Sequence, residues 1–385
     1  MIDRSDALAL DAADPLARWR DEFVIPDPDL IYLDGNSLGR TPKRTVEALH
    51  RVIDQWSGDL ITSWWEHDWL HLALAVGDEL APLLGAGPGE VAVHESTTVG
   101  IFQQVNVALD LVPGRRVIAI DDADFPTDRY AVEGIARLRG GEIRHGLGDL
   151  AGVDVVLRSL VDYRTAEVAD LAGETARASA AGATTVWDLS HAAGVLELDL
   201  PGAGVELAVG CTYKFLNGGP GAPAFVYVSR SIQHEVTQPI WGWFAQSDQF
   251  AMERPFDPRP GIGRMLNGTP PVLGLTAARE GIRVTVEAGI AAVAEKARRI
   301  TGFCIDLADE LGLVTDTPRD PARRGGHVAV RHADARRLHG ALVEHHVVVD
   351  YRDPDVLRFG LSPLTTSFAD VFDAMSKLAR LVDSA

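Results

Sequence analysis

Two residues carry the most chemistry in this sequence: Asp188, closing the run Thr184-Thr-Val-Trp187, and Lys214, 26 residues later in Tyr213-Lys214. An Asp at a strand end can keep a pyridine nitrogen protonated, and a Lys at the end of a nearby strand can form a Schiff base with an aldehyde. Pyridoxal 5'-phosphate (PLP) carries both groups. Alone, Asp188 reads equally as a helix cap and Lys214 as a solvated amine. Their joint occurrence, with His191 after the first and the glycine-rich Asn217-Gly-Gly-Pro-Gly221 after the second, favours the chemical reading. A phosphate also needs a cradle. Ser96-Thr97-Thr98 precedes the helical pattern Val99 to Leu109 and sets hydroxyls and free N–H groups at a helix start, where a plain cap is the ordinary alternative.

These residues need a scaffold that holds strand ends together. From Glu90 onward, short Val/Ile/Leu runs alternate with alanine-rich helical stretches, the βα pattern of a mostly parallel sheet. The clearest strands are Arg116–Ile120, Asp154–Leu157, Thr184–Trp187, Glu206–Val209 and Ala224–Val228. Several run directly into Asp, Ser or Lys, and open parallel sheets gather ligands at those carboxyl ends. Upstream, Ile31 to Gly39 reads as a strand entering a polar turn, then Thr41-Pro42 as a helix start, with a helix to about Trp56. Beyond Pro270-Pro271 the pattern becomes one long helical stretch, about Leu273 to Leu311. The strands Gly326–Arg331, Val347–Asp350 and Val356–Phe359 and a last helix from about Ser367 follow.

The 385 residues exceed what one core accommodates, so two lobes are expected. A net charge of −19 argues against nucleic acid and anionic membranes and for a small-molecule ligand. Two cysteines, Cys211 and Cys304, form neither a disulfide framework nor a zinc pattern, which points to a reducing cytoplasm. The first 20 residues are too acidic for a signal peptide, and no apolar run approaches the ~20 residues of a membrane span. The twelve histidines offer no metal set: His345-His346 are adjacent, and His67 and His71 read as surface residues. No metal is expected.

Seven blocks in order give the chain its family likeness: Leu33-Asp-Gly-Asn-Ser-Leu-Gly39, Leu60-Ile-Thr-Ser-Trp64, Asp124-Phe-Pro-Thr-Asp128, Asp188-Leu-Ser-His191, Tyr213-Lys-Phe-Leu-Asn217, Pro239-Ile-Trp-Gly-Trp-Phe244 and Gly268-Thr-Pro-Pro271. From about residue 31 to 370 the chain resembles the kynureninases of bacterial type, which hydrolyse the Cβ–Cγ bond of L-kynurenine to anthranilate and alanine in tryptophan catabolism. The resemblance implies a fold-type I PLP-dependent transferase fold, α/β in class, with a mostly parallel seven-stranded sheet between helices and a smaller αβ lobe. It divides the chain into an N-terminal segment, 1–40, packing with the small domain, a large PLP-binding domain, 41–272, and a small C-terminal domain, 273–385.

By the same likeness Thr97, Thr98, Phe125, Asp128, Ser159, Asp188, His191, Tyr213 and Lys214 surround the cofactor. Lys214, Tyr213 and Asp188 are the catalytic set. Trp243 and Thr269 reach the cofactor from a second subunit, which implies a homodimer with shared sites. Arg358 grips the substrate carboxylate, with Trp64, Gly268 and Asn36 completing the substrate site. Gly100 stands where many members have Asn, and Arg164-Thr-Ala-Glu167 replaces a commoner Thr-Gly-Gln type of sequence. Both departures bear on the choice among kynurenine, 3-hydroxykynurenine and ring-substituted analogues. Rival readings are a desulfurase-like lyase, for which Cys304 in an apparent helix is ill placed, an aminotransferase, and a PLP-binding regulator, for which no basic helix-turn-helix segment is present.

Overall fold

Runs such as Val155–Ser159, Thr184–Asp188 and Leu207–Gly210 are buried on both of their faces, so each is covered on both sides, as central strands of a parallel sheet are. The computed structural model, which describes residues 2–252 and 255–383, sets them side by side in a seven-stranded sheet. From edge to edge its strands are Val91–Val93, Phe225–Val228, Leu207–Gly210, Thr184–Asp188, Val155–Ser159, Val117–Ile120 and Glu142–His145. Phe225–Val228 runs antiparallel to both neighbours, and the other pairings are parallel.

The two-residue period of the strands decides which helix each face meets. Val155 and Leu157 share a core with Ile101 and Val105 of helix Thr97–Asp110 and Val132 and Ile135 of helix Pro126–Arg139. Val156 and Ala119 pack instead with Ala178 of helix Leu171–Ala180. Truncating one of these fully buried aliphatics to Ala is expected to cost about 2–5 kcal/mol.

A second, four-stranded antiparallel sheet has the order Asp350–Arg352, Val356–Gly360, His327–Arg331, Val314–Thr315. Helices Ile290–Glu310, Ala335–Glu344 and Phe368–Asp383 cover it around Ile300, Leu338, Phe359 and Val371. Ala7, Ile31 and Leu33 from the N-terminal segment belong to the same core. Ile31–Tyr32 pairs in parallel with Val347–Val348, and Asp34 bridges to Gly360. A buried ion pair, Lys296 to Asp14 at 2.6 Å, adds a further tie.

Four features depart from the sequence expectations. The helical stretch from Leu273 breaks at Gly289, φ 84°, into Val272–Ala288 and Ile290–Glu310, since a positive φ is open to glycine at little cost. Leu275 and Ile282 of the first piece pack into the large-sheet core, although that helix was assigned to the small lobe. Glu142–His145 is an edge strand that its charged, half-exposed sequence conceals. Val347–Asp350 divides between two sheets, because Val347–Val348 pairs with Ile31–Tyr32 while Asp350–Arg352 pairs with Val356–Gly360. Among the described residues no helix is long and apolar enough to cross a membrane.

Candidate active site

The carboxyl ends of the parallel strands, with the loops that follow them, wall a cavity of about 530 Å³. Asp188 is the last residue of its strand, and Ser159 stands beside it in register on the next. Asp188 is buried, and its Oδ1 accepts from the Ser190 N–H at 2.9 Å and the Ser190 hydroxyl at 2.6 Å. Burial raises its pKa, while Ser190 and the nearby Lys214 ammonium oppose that rise. Lys214 follows the Leu207–Gly210 strand, and its Nζ lies 3.0 Å from His191 Nε2. Burial, and after it the charge of Lys214, hold His191 well below its ordinary pKa. A neutral imidazole can thus accept from the lysine. Its buried Nδ1 has no partner among the described residues.

Two more carboxylates stand at the next strand end. Asp128, in the first turn of Pro126–Arg139, accepts from the Ser159 hydroxyl at 3.4 Å. Burial, then the like charges of Asp188 and Asp124, raise its pKa well above the usual range. Asp124, which takes the Ser159 N–H at 3.1 Å, is pushed up to about 7, chiefly by burial. Tyr213 is raised as well, first by burial, so its phenol stays protonated. Phe125 meets Tyr163 edge-on at 5.2 Å on the cavity wall.

At the far side, Ser96 caps helix Thr97–Asp110 by accepting from the Val99 N–H at 3.4 Å, and Thr97 and Thr98 line the cavity. This helix lies close against the Leu207–Gly210 strand: a Cβ on Gly100 would meet Val209 Cγ2 at 2.7 Å, which accounts for glycine there in place of Asn. The free N–H groups of the capped helix and the two threonine hydroxyls suit a phosphate. Lys214 and the buried Asp188 carboxylate suit an aldehyde and a pyridine nitrogen. The residues present therefore fit PLP.

Asn36, Thr97, Thr98, Phe125, Asp128, Ser159, Asp188, His191, Tyr213, Lys214 and Arg358 all line this one cavity. Trp64, Trp243, Gly268 and Thr269 do not, and they gather elsewhere. Trp64 and Trp243 both pack on Phe244, at 6.1 and 4.6 Å, and the Phe244 N–H donates to the Asn267 carbonyl beside Gly268-Thr269. That cluster borders an apolar groove of about 520 Å³ lined by Val52, Trp56, Leu60, Ile61, Trp64 and Leu273. Sequence reasoning passed over Tyr163, Ser190 and Arg352 on the cavity wall, and Asp350 and His327 just behind it. Of these, Ser190 had a visible signal, as the serine two residues past the candidate Asp. Asp59, Glu66 and His67 come together on the surface, all at least partly exposed, and nothing else there marks a metal centre.

The fold is shared with solved PLP enzymes. A cysteine desulfurase from Thermococcus onnurineus superposes with a TM-score of 0.79 at 16% identity, covering 93% of this chain and 96% of that one. A variant of C-DES with glycine covalently linked to its PLP cofactor gives 0.82 at 17% identity, covering 92% and 99%. Both cysteines of this chain, Cys211 and Cys304, are buried, and burial pushes the Cys304 thiol up to about 12. Residues 293–378 match the kynureninase C-terminal domain model. The kynureninase of Deinococcus radiodurans is 44% identical across 99% of this chain and 97% of its own length, and that of Pseudomonas fluorescens 40% across 100% and 96%. Likeness of this degree over the whole length, with the strand-end residues already described, shows that the chain belongs to the kynureninase family.

Proposed function

We propose that the protein is a PLP-dependent hydrolase that cleaves the Cβ–Cγ bond of L-kynurenine with water, releasing anthranilate and L-alanine. The observation that carries this reading is the meeting of Lys214, the buried Asp188 and the buried Arg358 in a single cavity. Bound PLP would supply the electron sink that lets bonds at the substrate's Cα and Cβ break. Lys214 would hold it covalently, Asp188 would keep its ring nitrogen protonated, and Thr97 and Thr98 would take its phosphate. Phe125, Asp128, Ser159 and His191 would complete the shell around it.

The remaining work belongs to the chain's own groups. Lys214 Nζ moves the proton of the substrate's Cα, helped by a neutral His191 that accepts from it at 3.0 Å. The Tyr213 hydroxyl, kept protonated by burial, exchanges a proton with the γ-carbonyl oxygen as water adds there. Arg358 binds the α-carboxylate and so fixes which bond at Cα faces the lysine. Asn36 lies beside it.

The protein acts, in this reading, as a homodimer in the cytoplasm. Trp64, Trp243, Gly268 and Thr269 from one subunit complete the cavity of the other, and the exposed groove beside them is the surface a second copy covers. We also divide the chain at Gly289, where the last helix of the large-sheet core ends.

The test is to add L-kynurenine to PLP-loaded protein and follow anthranilate fluorescence and alanine together, with 3-hydroxykynurenine in parallel. Stoichiometric release of both products is expected. A spectral change on binding without anthranilate would leave the cofactor assignment standing and overturn the reaction.

A further inference from the structure

Arg358 is 1% exposed, and a cation so buried needs its donors satisfied and its charge balanced. Its register partner across the antiparallel pair is Asp350. The Asp350 Oδ2 accepts from Arg358 Nε at 2.5 Å and forms an ion pair with one terminal nitrogen of the same guanidinium. The other terminal nitrogen donates to the Tyr163 carbonyl. A guanidinium has five N–H donors in a fixed fork. Those three contacts leave a second N–H on each terminal nitrogen, and the one on Nη2 donates to the Ser37 hydroxyl at 3.5 Å. The Asn36 amide, turned so that its nitrogen meets Asp34 Oδ1, sets its oxygen 3.3 Å from the same Nη2, and Asn36, Ser37 and Arg358 all line the cavity. A carboxylate entering the cavity would replace the long Ser37 contact and take the two terminal nitrogens two-handed.

The arrangement has an electrostatic difficulty. Asp350, clamped to the flank of Arg358, cancels the charge that should attract a substrate anion. Arg352 resolves it. Two residues along the strand from Asp350, it projects on the same face and lines the cavity, with its Nε 3.0 Å from Asp350 Oδ2. That N–H is not aligned on the carboxylate and has no other partner, so the contact is one of charge rather than a formed hydrogen bond. The second carboxylate of the cluster, Asp34, is separated from Arg358 by the Asn36 amide, whose nitrogen lies 3.3 Å from Asp34 Oδ1. Burial pushes Asp34 up to about 6.

We infer that Asp350 and Arg352 are positioning and charge-setting residues for carboxylate recognition. Asp350 fixes Arg358 flank-on so that its terminal nitrogens face the cavity, and Arg352 offsets the Asp350 charge so that they still draw an anion. The inference rests on the reading that Arg358 grips the α-carboxylate of the substrate.

The test uses PLP-loaded protein and two probes of calorimetric binding, L-alanine, which carries the α-carboxylate, and L-alaninamide, which does not. Arg352→Gln is expected to weaken L-alanine about tenfold and L-alaninamide by less than about twofold, and to raise the KM for L-kynurenine far more than it lowers kcat. Arg352→Lys should recover most of the loss. The double variant Asp350→Ala/Arg352→Gln restores the charge balance and removes only the clamp, so it is expected to stay about fivefold weaker than wild type for L-alanine. Equal losses for both probes in Arg352→Gln, or no loss, overturn the charge role. Wild-type affinity in the double variant overturns the positioning role. If wild-type protein releases no anthranilate, the proposed reaction fails instead, a separate result from either.

Discussion

Pro271 belongs to two walls. On one side it closes the cavity, where burial and mutual charge shift the pKa values of Asp128, Asp188 and His191; on the other it edges the groove, where Trp56, Leu60 and Ile61 are 57%, 61% and 67% exposed. The cavity holds nearly all of its groups within one chain, and they are held there by strand ends. The groove has little polar chemistry and leaves large apolar side chains in water, a state that favours association. In the proposed dimer the polar site is built by one copy, and the apolar wall for an aromatic ring is left to the other.

The largest effect expected from separating the two regions is at Lys214. Lys214→Ala should lower kcat by at least about a thousandfold and remove the visible absorbance of the loaded protein, without changing the association state in sedimentation. A variant that keeps both absorbance and turnover would show that another group does this work. Next is the groove: Leu60→Asp with Ile61→Asp should convert the proposed dimer to monomer in sedimentation and lower activity about a hundredfold while PLP is still taken up, because neither residue lines the same chain's cavity. Full activity in a monomer would break the idea of shared sites. Trp64→Ala should act more gently, raising the KM for L-kynurenine about tenfold with L-alanine affinity unchanged, since it would remove packing on the aromatic ring alone.

The smallest effect lies outside both regions and serves as a control. His94 is fully buried with neither ring nitrogen partnered among the described residues, and burial lowers its pKa to about 4. The unfolded chain takes up a proton near 6.5 that the folded His94 refuses until about 4, so this residue subtracts stability as the pH falls through that window. His94→Leu should therefore gain on wild type by up to about 3 kcal/mol between pH 7 and pH 4 in denaturant unfolding. A difference independent of pH would show that His94 is not held neutral.

Legibility in the sequence followed burial. Val155–Ser159 and Leu207–Gly210 are buried on both faces and so read as unbroken apolar runs, whereas Glu142–His145 is a strand only because Val117–Ile120 pairs with it. Gly289 lay in plain view, but an alanine-rich pattern on both sides masked the break it makes. In the site, Asp188, Lys214 and the Ser96-Thr97-Thr98 cap were readable because each sits where a run of one period gives way to another. Asp350 and Arg352 were not. Their meaning comes from a register, Asp350 opposite Arg358, that no local pattern specifies. Of the residues placed by likeness, Asn36, Phe125, Asp128, Ser159 and Arg358 line the cavity, while Trp64, Trp243, Gly268 and Thr269 lie outside it.

The pairing of Ile31–Tyr32 with Val347–Val348 has a consequence for how the protein is made. Ser37 emerges from the ribosome 321 residues before Arg358, and it and Asn36 must wait for that partner. Contacts so distant along the chain form slowly, because a long loop must close before they return anything. The large-sheet core can collapse while synthesis continues. The carboxylate pocket cannot, so a nascent chain able to hold the cofactor would still be unable to select its substrate until the Val356–Gly360 strand has docked.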